Sequence, residues 1–119
     1  MKLNYMTVIV SDIEASIRFY TELAGLGAAW RINPEGRSIA FLQNNDGETM
    51  LELISAPGWE PVKASGLVLS FLAEEPLEDL RQKALDLGYQ PGEIMDEGPK
   101  PAHFKVPDPD GLTVEFGVQ

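Results

Sequence analysis

The strongest constraint on what this chain can fold into is an internal repeat. Two glycines placed to end helices, Gly25 and Gly88, stand 63 residues apart, and so do two strand glutamates, Glu52 and Glu115. Each glutamate follows a similar turn, Asp46-Gly47-Glu48-Thr49 in one half and Asp110-Gly111-Leu112-Thr113 in the other, here offset by 64. One residue has slipped between turn and glutamate. The period is longer than that of solenoid repeats and there are only two copies, so the pattern implies a duplicated module and not an array.

Each copy reads in the same order. In the first, residues 3–10 are rich in β-formers and predict a strand. Ser11 and Glu14 are spaced as a capping box. Ile13, Ile17, Tyr20 and Leu23 then follow at helical spacing, and Gly25 and Gly27 supply a stop. Residues 28–32, 38–43 and 50–54 read as strands separated by Asn33-Pro34-Glu35-Gly36 and Asn44-Asn45-Asp46-Gly47. Residues 56–65 hold Pro57, Gly58 and Pro61 and read as a linker. In the second copy, residues 66–73 predict a strand, and Pro76 opens a helix where proline is tolerated. Leu77, Leu80, Ala84 and Leu87 line that helix, which Gly88 ends. Residues 93–95 form a weak strand signal, 103–106 a better one and 112–118 a final one. Strand, helix and three strands per half is not a βαβα alternation. The fold expected is α+β, two tandem β-α-β-β-β modules forming a curved mixed sheet with a shared cleft. Residues 1–119 make one domain, with half-modules at about 1–56 and 65–119.

Composition excludes several functions. Nineteen acidic against nine basic residues give a formal net charge of -10. The scattered Lys and Arg argue against nucleic acid, which needs clustered cations for its phosphates. A cationic ligand is favoured, although acidity also serves solubility alone. No window approaches a membrane span, and the first residues enter a strand pattern without an apolar leader. Without cysteine there is neither a disulfide nor a thiolate metal site. A cytoplasmic protein is expected.

The opening residues Tyr5-Met6-Thr7-Val8-Ile9-Val10-Ser11-Asp12, with Ser16-Ile17-Arg18-Phe19-Tyr20 and Leu23-Ala24-Gly25-Leu26, carry a family resemblance. So does the closing run Phe104-Lys105-Val106-Pro107-Asp108-Pro109-Asp110-Gly111-Leu112-Thr113-Val114-Glu115. Both are similar to the vicinal oxygen chelate superfamily of glyoxalases, bleomycin-type resistance proteins and extradiol dioxygenases. In its metal-dependent members the first strand of each half supplies a His ligand, and the last strand of each half a Glu. Matched onto this chain, the His positions hold Tyr5 and Val68 and the Glu positions hold Glu52 and Glu115. Both imidazoles are therefore replaced. Imidazole suits Zn, Ni and Fe, whereas two carboxylates favour harder ions such as Mg or Mn. No cofactor is expected, with a divalent ion on Glu52 and Glu115 as the exception.

Two functions follow. One is a metal-independent protein that binds a small cationic or aromatic molecule in the cleft, lined by Tyr5, Trp30, Glu52, Val68 and Glu115. The other is a glyoxalase-type lyase or isomerase using Glu52 and Glu115 with a divalent metal, one carboxylate serving as base because its neighbour raises its pKa. Trp30 and Trp59 are either ordinary packing groups or stacking surfaces for a flat or cationic ligand. Arg31 and Arg37 flank a turn and read as an exposed hairpin pair or an anion clamp. His103, the only histidine, lies at neither ligand position and reads as a surface or structural residue. Members with two halves per chain commonly pair, so a homodimer is expected.

Overall fold

The duplication is written into the strand register. In the first half β1 (Tyr5–Ile9) runs parallel to β4 (Met50–Ser55), with Tyr5 opposite Met50 and Thr7 opposite Glu52. In the second half β5 (Val68–Leu72) runs parallel to β7 (Thr113–Gly117), with Val68 opposite Thr113 and Ser70 opposite Glu115. Every member of these pairs is displaced by the same 63 residues. The antiparallel partners differ by one: β3 (Ser38–Gln43) sets Phe41 opposite Glu52, and β6 (His103–Pro107) sets Lys105 opposite Glu115. The slipped residue therefore lies in the β-turn between these strands, where a deletion leaves the ladder intact.

The computed structural model describes residues 1–119, which form two compact units, Met1–Val62 and Lys63–Gln119. Residues 56–65 contain neither helix nor strand. The first unit has a four-stranded mixed sheet in the order β1-β4-β3-β2, with β2 spanning Gly27–Ile32. The second has a three-stranded sheet in the order β5-β7-β6. The chain is α+β, as the element order implies. No helix is long and apolar enough to cross a membrane.

Strand alternation sorts each sheet into two faces. In the first unit Val8, Ala40, Leu42, Leu51 and Leu53 are buried, and α1 (Ile13–Arg18) lies against β3 and β4. In the second, Leu69, Phe104, Val106, Val114 and Phe116 are buried together with Leu77, Leu80 and Ala84 of α2 (Leu77–Asp86). Full burial of each large apolar side chain here contributes about 1.5–3 kcal/mol.

Three local expectations change. The first helix is capped by Asp12, whose carboxylate accepts the Ala15 N–H at 3.2 Å, and not by a Ser11–Glu14 box. Glu14 instead pairs with Arg31 of β2 at 2.5 Å. The same helix widens into a π-turn over Phe19–Leu23, with Ala24 N–H reaching the Phe19 carbonyl at 3.3 Å. The adjacent Phe19 and Tyr20 of this turn are both fully buried. Ile17 is only partly buried, and Ser16 takes an inward position. Finally, the strand expected at residues 93–95 is reduced to a single bridge between Met95 and His103. Pro91, Pro99 and Pro101 lack the donors that a continuous ladder requires.

Candidate functional site

In each unit the shared register produces one buried carboxylate held by one hydroxyl. Glu52 is 9% exposed, and its Oε1 accepts the Thr7 hydroxyl at 2.5 Å. Glu115 is 4% exposed, and its Oε2 accepts the Ser70 hydroxyl at 2.8 Å. Thr7 and Ser70 are themselves related by the 63-residue offset. A hydroxyl at both equivalent positions is a signal of the site that the sequence carries.

On the first unit's sheet, Glu52 lies beside an aromatic group. Phe41, its partner across the β3–β4 ladder, stacks on Trp30 with centroids 4.4 Å apart and planes at 11°. Tyr5 meets Phe41 edge-on at 5.5 Å. Trp30 and Tyr5 remain about half exposed. Three expected site residues, Tyr5, Trp30 and Glu52, are thus brought together, with Phe41 as the ring that joins them. Phe41 is 6% exposed, and nothing in its local sequence distinguishes it from core. Trp59 lies elsewhere, in the irregular stretch after β4, with the Arg37 guanidinium 5.8 Å from its ring.

The second unit holds a pocket of about 330 Å³ lined by Ser70, Leu72, Lys100, His103, Glu115 and Val118, among others. Val68 lies two residues from Ser70 on the same face of β5 and is exposed, outside the pocket wall. Lys100 donates to Glu115 Oε1 as an ion pair, although its own side chain is 53% exposed. His103 places Nε2 3.9 Å from the same oxygen. Its Nδ1 lies 2.9 Å from the Pro101 carbonyl. A carbonyl only accepts, so Nδ1 carries the proton, and in the neutral ring Nε2 keeps its lone pair toward the pocket. Burial by itself pushes the Glu115 carboxyl pKa up. The hydrogen bonds from Lys100 and Ser70 and the charges of Lys100 and His103 outweigh it and hold the pKa below the usual 4.5. Lys100 and His103 were not expected at the site; both come to Glu115 through tertiary structure.

The donor set does not fit the transition-metal centre of the metal-dependent relatives. No three His, Asp or Glu side chains are grouped to hold an ion. Val68 offers no donor atom, and the charge of Glu115 is already balanced by an ammonium.

Comparison with known proteins agrees with this architecture. The chain is 27% identical to the protein YraH of Bacillus subtilis (strain 168) over 122 residues, covering 91% of this chain and 92% of that one. An antibiotic-binding protein, TnmS3 from Streptomyces sp. CB03234, has a similar fold: TM-score 0.78, 19% identity, covering 99% of this chain and 95% of that one. Trypanothione-dependent glyoxalase I of Leishmania major superposes with a TM-score of 0.79 at 25% identity, covering 99% of this chain and 86% of that one. A family model matches residues 2–116, so the chain belongs to the Glyoxalase/Bleomycin resistance protein/Dioxygenase superfamily.

Proposed function

We propose that this protein binds a small organic molecule, cationic or aromatic, without the help of a transition metal. The observation that carries the reading is the second unit's pocket, which combines an apolar rim with a buried carboxylate, a lysine and an imidazole. Small-molecule sites set convergent polar groups against apolar surface to fix orientation, and this pocket supplies both in similar measure. On the first unit, the half-exposed Trp30, backed by Phe41 and standing beside Glu52, is a flat surface that by itself suits an aromatic or cationic group. The similar fold of an antibiotic-binding protein is consistent with such a role.

The test is a thermal-shift screen of a chemically diverse library against the purified protein. A specific ligand raises the melting temperature as the logarithm of its concentration over Kd. Hits are expected to lose about tenfold or more in affinity in Glu115→Gln or Trp30→Ala. Ligands that bind both variants as tightly as the parent would refute the reading. A metal-dependent lyase or isomerase using Glu52 and Glu115 is the competing reading. It requires Lys100 to leave Glu115, and it predicts that EDTA abolishes binding or turnover and that Mg or Mn restores it.

A further inference from the structure

Glu115 is nearly sealed from solvent, and its two oxygens are satisfied in different ways. Oε2 is held by Ser70 from the neighbouring strand, a bond set by the sheet register. Oε1 is held by Lys100, which belongs to no strand or helix. Lys100 stands between Pro99 and Pro101, after Gly98 at φ 95°, in a segment whose residues 95–101 are all exposed. One bond is thus part of the scaffold, and the other is supplied by a tethered cation that already lies half in water. Moving Lys100 fully into solvent costs it little. Leaving Glu115 without a counter-charge would cost much more, because a buried carboxylate must be paired.

We infer that Lys100 is a built-in stand-in for a cationic ligand, and that a primary ammonium on an apolar body displaces it from Glu115. The inference rests on the reading of this pocket as a small-molecule site and names the chemistry of its ligand. Two acceptors converge where the ammonium would sit: Glu115 Oε1, and the lone pair of His103 Nε2, 3.9 Å from it. The imidazole is kept in that tautomer by the bond between its Nδ1–H and the Pro101 carbonyl. An ammonium has three donors and can use both acceptors. A carboxylate or phosphate in the same place would face a buried anion and a lone pair, so an anionic ligand is disfavoured. The pocket rim of Leu72, Pro101 and Val118 is suited to an apolar body next to the charged head. The net charge of -10 attracts cations to the whole chain and does not oppose the exchange.

The experiment compares benzylammonium with benzoate, two probes of similar shape and opposite charge, by calorimetric titration of the full chain. Benzylammonium is expected to bind, and Lys100→Met to tighten it by about tenfold, because a tethered competitor of high effective concentration has been removed. Glu115→Gln is expected to abolish it. A readout in the unmodified protein guards against misfolding of Lys100→Met: the Lys100 Nζ signal in NMR spectra should move to that of a solvated ammonium on saturation with benzylammonium. Benzoate binding that disappears in Lys100→Met would overturn the inference, because Lys100 would then be an anion receptor. So would benzylammonium binding of equal strength in the parent and in Lys100→Met, with the Lys100 Nζ signal of the saturated parent unmoved, or no binding to a folded Lys100→Met. If library hits still depend on Glu115 in any of these cases, the small-molecule reading stands and only the displacement fails.

Discussion

Thr7 and Glu52 in one half, and Ser70 and Glu115 in the other, show how a short-range rule and a long-range one meet at single residues. Alternation along a strand decides that each glutamate and its hydroxyl share a face, and parallel pairing decides that they touch. Their consequences for stability are measurable. Because the folded-state pKa of Glu115 is depressed, its contribution is complete above the unfolded value near 4.5 and is lost as pH falls through the lower folded value. Urea unfolding between about pH 7 and pH 3 should show this acid-side loss, and it should be smaller in Glu115→Gln. Lys100→Met removes the main group that holds the Glu115 pKa down and leaves burial to push it up, so the acid-side loss should shrink or reverse in that variant. Ser16 offers a contrast. Its hydroxyl is fully buried in α1 without a hydrogen-bond partner. Ser16→Ala removes an unmet donor and is expected to stabilise the protein by about 1 kcal/mol in the same denaturation experiment.

At the scale of elements, the glycine stop of α2 behaves as the sequence implies, whereas the second half's missing strand does not. Gly88 adopts φ 94° just beyond α2, and the following Tyr89 N–H returns to the Ala84 carbonyl at 2.9 Å. A Cβ there meets open space, so strain alone opposes a side chain. Gly88→Ala is expected to cost about 1–2 kcal/mol, read from the urea midpoint. Residues 93–95 have strand-like composition but retain only the paired bonds between Met95 and His103, at 2.7 and 3.1 Å. Amide exchange at Met95 should therefore be much faster than at Val114 in the centre of the second sheet, because a lone bridge opens without disturbing a ladder. The π-turn at Phe19–Leu23 was hidden for a different reason. A regular helical period fits Ile13, Ile17, Tyr20 and Leu23 as written, so nothing in the sequence pattern signals the wider turn at Phe19–Leu23.

For the whole molecule, we propose a homodimer: Met6 and Ile32 leave apolar surface exposed on the first unit, and association would have to overcome a charge of -10 on each chain. Sedimentation at micromolar concentration should give twice the 13.1 kDa chain mass, with dissociation favoured at low salt, where repulsion is least screened. The sequence alone determined the order of elements apart from the second half's missing strand, the 63-residue register and the equivalence of Glu52 and Glu115 as strand positions. It could do so because strand and helix periods and turn residues act locally and were copied together. Only the tertiary structure decided that Phe41 joins Tyr5 to Trp30, and that Lys100 and His103 converge on Glu115. Lys100 comes from an irregular segment, where no period fixes the direction of a side chain. Its position follows from a buried carboxylate's need for a counter-charge, and that need exists only once the sheet has closed around Glu115.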